Sequence, residues 1–212
     1  SLEAGTPFGI AGATSLGAHV SFADIDKDGD LDAFLGGNSS TVQFFRNTAA
    51  AGASTPQFTS EGNPFNLTIQ GRPTFVDIDN DGDLDAFIGN GTSGGSTVFY
   101  RNTASEGATT PLFVTESTTL GSAGLFLAMP AFADIDGDGD FDAFVGNGTG
   151  NTLFFRNIGG ASTPSFTSAL TNPFGLTNTD TYASPALVDI DADGDLDAFI
   201  GQSDGTTAFF LN

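Results

Sequence analysis

The chain has 212 residues, 39% of them hydrophobic, with 22 Phe, no Trp and no Cys, which is enough apolar material for a sizeable core. A formal charge of −21 excludes nucleic acid and anionic membrane surfaces as partners. The lack of Cys excludes disulfides, thiolate metal sites and a Cys nucleophile, and no apolar run reaches the length of a membrane span.

The chain begins with a short extended piece, GTPFGI, from Gly5 to Ile10. A first strand is expected at Val20–Ala23, followed by the acidic stretch DIDKDGDLDAFLGG from Asp24 to Gly37. A second strand leaves the stretch at Asp32–Leu35, a Phe-rich third spans Val42–Arg46, and a fourth spans Pro56–Thr59. The turn formers Gly, Asn, Ser, Thr and Pro separate them. No window has sustained helical spacing, and 29 Gly weigh against helices.

This unit is then written again. Acidic stretches begin at 24, 77, 134 and 189, in steps of 53, 57 and 55 residues. QFFRNTA, FYRNTA and FFRNIG follow the first three in step, and FFLN ends the chain. Four-stranded units of about 50 residues in tandem are the mark of a β-propeller; a β-helix has shorter repeats and no antiparallel hairpins. The expected fold is therefore all-β, a single domain over residues 1–212 with four antiparallel blades. The last unit stops after its third strand, so Gly5–Ile10 is expected to pair with it and close the ring. A closed four-bladed monomer is the favoured assembly, and a two-chain ring of eight blades is the alternative.

Twenty of the 26 acidic residues lie in the four stretches. They are Asp24, Asp26, Asp28, Asp30 and Asp32; Asp77, Asp79, Asp81, Asp83 and Asp85; Asp134, Asp136, Asp138, Asp140 and Asp142; and Asp189, Asp191, Asp193, Asp195 and Asp197. Five carboxylates this close repel one another and desolvate poorly, so a cation is expected among them. All-oxygen donors with Gly at the sixth position point to Ca²⁺, one ion per loop. Side chains at positions one, three, five and nine are the expected ligands, with the ninth in the bidentate role. The seventh contributes either a carbonyl or only a neighbouring group. Ile25 and Leu31 and their counterparts are expected to anchor the loops in the core.

DIDGDGDFDAFVGNGTGNTLFFRNIGG resembles an FG-GAP, or VCBS-type, repeat, similar to those of the integrin α-subunit propeller. That resemblance implies calcium in the hairpin loop joining the first two strands of each blade. It also implies an extracellular or cell-surface recognition or adhesion module for a glycan or protein. A passive spacer domain is the alternative reading, and an accessory domain of a polysaccharide-active enzyme a more distant one. No catalytic residue is nominated: His19 is the single His, and no phosphate loop or zinc motif is present. The recurring Arg46, Arg101 and Arg156 read as charges balancing the acidic field.

Overall fold

The computed structural model describes residues 10, 17–38, 40–50, 53–91, 96–105, 107–120, 126–160, 162–179 and 181–212. Among these residues it has fifteen strands and no helix. The first sheet is β1 (His19–Ala23), β2 (Asp32–Gly37), β3 (Ser40–Asn47) and β4 (Phe58–Gly62). The second is β5 (Gly71–Val76), β6 (Asp85–Asn90), β7 (Thr97–Asn102) and β8 (Phe113–Leu120). The third is β9 (Met129–Ala133), β10 (Asp142–Gly146), β11 (Thr152–Phe155) and β12 (Leu170–Thr171). The fourth has three strands, β13 (Ser184–Val188), β14 (Asp197–Gly201) and β15 (Thr207–Phe210). Within each sheet neighbours in sequence pair antiparallel, and the four sheets are the blades of a four-blade propeller.

The Phe content follows from the way blades pack. The second and third strands of each blade place one Phe directly opposite another, giving centroid separations of 5.0 Å (Phe34–Phe44), 4.5 Å (Phe87–Phe99), 4.9 Å (Phe144–Phe154) and 4.7 Å (Phe199–Phe209). Strand alternation sends these rings towards the following blade and their neighbours towards the preceding one. Phe34 thus meets Phe75 of the second blade at 4.2 Å, and Phe87 meets Phe132 of the third at 4.4 Å. Ala86, Ile88 and Tyr100 complete the first junction, and Ala143, Val145 and Phe155 the second. Phe34, Phe44, Phe87, Phe99 and Phe144 are fully buried, and each contributes about 1.5–3 kcal/mol.

Glycine sets the approach distance. A Cβ on Gly36, Gly89 or Gly146 would lie 2.0, 2.2 or 2.0 Å from the carbonyl oxygen of Gly71, Ala128 or Ala183 in the following blade. Hydrogen bonds from Ala128 N to Asn90 O (3.2 Å) and from Ala183 N to Asn147 O (2.9 Å) stitch the same points.

The junction between the fourth and first blades is different. Among the described residues, a Cβ on Gly201 would meet nothing nearer than Ser184 of its own blade, at 3.7 Å. Val188, Ile190 and Phe209 on one side and Phe22 and Leu31 on the other are exposed, Phe22 to 52% and Phe209 to 49%. Their counterparts Val76, Ile78 and Phe99 are buried. Hence Ile25 and Ile78 anchor their loops in the core as expected, whereas Leu31 and Ile190 do not, because both face this open seam. Ile10 packs on Ala33, Leu35 and Phe45 of the first blade, much as Leu67 and Leu176 pack on the second and fourth. Of the segment Gly5–Ile10 expected to pair with the last blade, residues 5–9 fall outside the described residues, and Ile10 makes its contacts with the first blade.

Candidate metal centre

Each acidic stretch forms the hairpin loop between the first two strands of its blade. The first Asp organises it. Asp24 accepts the N–H of Asp28 and of Gly29 (both 3.1 Å), and Asp77 accepts those of Asp81 (3.1 Å) and Gly82 (2.9 Å). Asp134 and Asp189 repeat the pattern. The fifth Asp accepts the N–H two residues on, as from Asp30 to Asp28 at 2.9 Å. These bonds force left-handed backbone at position six, where Gly29, Gly82, Gly139 and Gly194 have φ of 91°, 87°, 93° and 99°. They force it also at position four, where Lys27, Asn80 and Ala192 have φ of 61°, 54° and 63°. Only Gly137, with φ of 71°, marks that second requirement by residue type.

The carboxylates converge. Donor atoms of Asp24, Asp26 and Asp28 lie within 4.8 Å of one another, as do those of Asp77, Asp79 and Asp81 and of Asp134, Asp136 and Asp138. In the fourth loop the group is Asp189, Asp191 and Asp197. The seventh residues, Asp30, Asp83, Asp140 and Asp195, stand outside these groups. Asp83 is buried against the Lys27 ammonium, so position four of the first loop reaches into the second rather than into solvent. Asn80 does the same more weakly, donating to Gly139 O at 3.4 Å.

The ninth Asp is buried in every blade, Asp32, Asp85 and Asp142 to 1% exposure and Asp197 to 2%. Its Oδ1 accepts the backbone N–H of the Asn at the end of the third strand or two residues beyond it, at 2.7 Å from Asn47, Asn102 and Asn157 and 2.9 Å from Asn212. Its Oδ2 accepts a second N–H in two blades, from Ile78 to Asp85 at 3.3 Å and from Ile190 to Asp197 at 3.2 Å, and is without a hydrogen bond in Asp32 and Asp142. That Asn also accepts two further N–H groups, from Ala49 and Gln57 in the first blade, and so fixes the chain after the strand. Sequence reasoning passed over this residue, although its recurrence in FFRN, FYRN and FFRN was in plain view.

The recurring Arg has a specific task. Arg46 pairs with Asp26 and with Glu61 (2.7 Å), Arg101 with Asp79 and with Glu116 (3.0 Å), and Arg156 with Asp136 (2.8 Å). Each holds Oδ2 of the third-position Asp. Leu211 replaces it in the fourth blade, so Asp191 has no such partner there.

Several buried oxygens remain without a hydrogen bond: Oδ1 of Asp26 and of Asp79, and Oδ2 of Asp32 and of Asp142. Burial pushes the carboxyl of Asp32 up to about 6, Asp85 to about 7 and Asp142 to about 6, against the opposing N–H of the Asn. Desolvation and the adjacent carboxylates of Asp28 and Asp81 raise Asp26 and Asp79, which their Arg partners only partly offset. Buried anionic oxygens without donors, in an all-carboxylate set, fit a hard divalent cation.

An FG-GAP-like repeat model matches residues 24–88, 77–145 and 134–200. The chain belongs to the FG-GAP-like repeat family. Each match runs from one acidic loop through the next, so the unit that the family recognises spans a blade junction. In this FG-GAP-like propeller the loops are thus part of the repeat itself. No curated protein matches the chain.

Proposed function

We propose that this propeller is a calcium-stabilised recognition module that works outside the cell, binding a glycan or protein on a surface its rigid blades present. The observation that carries the metal reading is the buried, unpartnered oxygens of Asp26, Asp79, Asp32 and Asp142. In each loop the carboxylates at positions one, three and five, with Oδ2 of the ninth, would hold Ca²⁺. Bound there, the ion supplies positive charge that converts mutual repulsion into cohesion. The protein's own part is to fix the carboxylates: Asn47 and its equivalents hold the ninth, Arg46 and its equivalents orient the third, and Gly29 and its equivalents allow the turn.

The role for the metal is structural, since no nucleophile–base pair faces these loops among the described residues. Weak oxygen-only sites suit the millimolar calcium found outside cells. The test is thermal unfolding in calcium, in magnesium and after chelation, with a glycan array in the same buffers. Binding only to the folded state adds about 2.7 kcal/mol per site at a hundredfold excess over Kd. Calcium is therefore expected to raise Tm by many degrees where magnesium does little, and to be needed for binding on the array. A Tm indifferent to chelation overturns the metal reading.

A further inference from the structure

The acidic loops occupy one face of the propeller. A cavity of about 570 Å³ opens around the axis at the other, lined by residues of all four blades. Strand β1 separates the two: His19 at its start lines the cavity and Ala23 at its end precedes Asp24, the two about 13 Å apart along an extended strand. The chain carries 26 acidic residues, yet none of those among the described residues lines this cavity. Instead Arg72 of β5 does.

Arg72 is unlike the other cations. Lys27, Arg46, Arg101 and Arg156 all pair with carboxylates, whereas Arg72 has no such partner among the described residues. Its Nη1 is buried and donates to nothing. A guanidinium half withdrawn from water with an unmet donor is an uncompensated cost, and no carboxylate among the described residues offsets it. Burial, and secondarily the Arg72 charge, hold His19 below its ordinary pKa, leaving Arg72 as the cavity's positive charge at neutral pH. Asn38, Gln202, Ser203, Thr206 and Thr207 add hydroxyl and amide groups to the wall, with Met129 and the Tyr182 ring beside them.

We propose that this axial cavity binds a monocarboxylate sugar, such as a uronic acid residue, with its carboxylate on Arg72 and its hydroxyls on the amide and hydroxyl wall. The inference rests on the recognition reading above and gives it a place. A guanidinium matches a carboxylate fork to fork. A single Arg neutralises one negative charge; a phosphate or sulfate dianion would leave one over, in a field already strongly negative. The volume lies within the range of small-molecule sites and accommodates one or two sugar rings.

The experiment is calorimetric titration of the calcium-loaded protein with galacturonate, its methyl ester and galactose, alongside Arg72→Gln and Arg72→Lys. Galacturonate is expected to bind wild type, with the ester and galactose about tenfold weaker or worse, since the charge-assisted bonds are lost. Arg72→Gln is expected to abolish the preference for the acid and Arg72→Lys to keep part of it. Galactose binding as well as galacturonate, or Arg72→Gln binding unchanged, overturns the proposal. So does a short peptide binding through its C-terminal carboxylate where uronate does not. Should Arg72→Gln fail to fold, the ester comparison on wild type decides alone. Calcium-dependent array binding to neutral glycans only would sink this site and leave the recognition reading standing; an array blank for every glycan, with no uronate binding, would sink both.

Discussion

The glycines of the second strands allow the blade junctions to be compared one methyl at a time. Replacing Gly146 by Ala puts a Cβ 2.0 Å from Ala183 O, well inside van der Waals contact. Relief requires a backbone shift of more than about 1 Å, yet Ala183 is tied by its N–H to Asn147 O at 2.9 Å, one residue away. Overpacking of this kind costs about 1–3 kcal/mol, and a clash of backbone rather than side chain lies at the upper end. Gly201→Ala introduces the same methyl with 3.7 Å of clearance. There the entropy lost by the unfolded chain favours Ala by about 0.4–1 kcal/mol. The expected outcome is a loss of about 3 kcal/mol for Gly146→Ala, and likewise Gly89→Ala, against a neutral or slightly stabilised Gly201→Ala. In a domain of this size that separates the melting temperatures by about 6–12 °C. Thermal and urea unfolding of the calcium-loaded proteins reads it directly. Equal losses at Gly146 and Gly201 would mean that the fourth junction is packed like the others and would refute the open seam.

Three further outcomes follow from the loops. Ala192 has φ of 63° where the third loop has Gly137, so Ala192→Gly should stabilise by up to about 1 kcal/mol; a loss in urea unfolding would contradict the strain assigned to it. Arg156→Leu removes a positive charge from Asp136, copying the Leu211 arrangement of the fourth blade; calcium should bind the third site more tightly, by on the order of tenfold at low salt, and titration showing weaker binding would count against the pairing. In metal-free buffer, Asp32, Asp85 and Asp142 titrate at about 6, 7 and 6 in the folded state but near 3.9 when unfolded, so the folded protein binds more protons between about pH 4 and 7. Stability of the stripped protein should therefore rise as pH falls through that window and reverse once calcium is present, because protons then displace the ion; melting curves at stepped pH with both signs the same would contradict this.

The blades were legible because their signals are local. Alternation and turn residues placed Val20–Ala23 and Asp32–Leu35 within a residue or two of β1 and β2. The fourth strand, expected at Pro56–Thr59, begins instead at Phe58 and runs to Gly62, since Pro56 cannot donate to the ladder. The acidic loops were visible as a charge pattern, but their partners were not. That Arg46 holds Asp26 and Asn47 holds Asp32 depends on a hairpin bringing the end of β3 beside the loop, a contact between positions 15 or 20 residues apart. The open seam was hidden for a related reason. Phe22 and Phe75 have the same sequence context, and only the packing of the preceding blade against them distinguishes the two.

The most direct test is to count calcium. Equilibrium dialysis or calorimetry on the stripped protein should find four ions per chain, falling to three in Asp134→Asn/Asp138→Asn, with the bound protein melting far above the stripped one. A chain that takes up no calcium at millimolar concentration, and melts at one temperature with or without it, would contradict the account at its root.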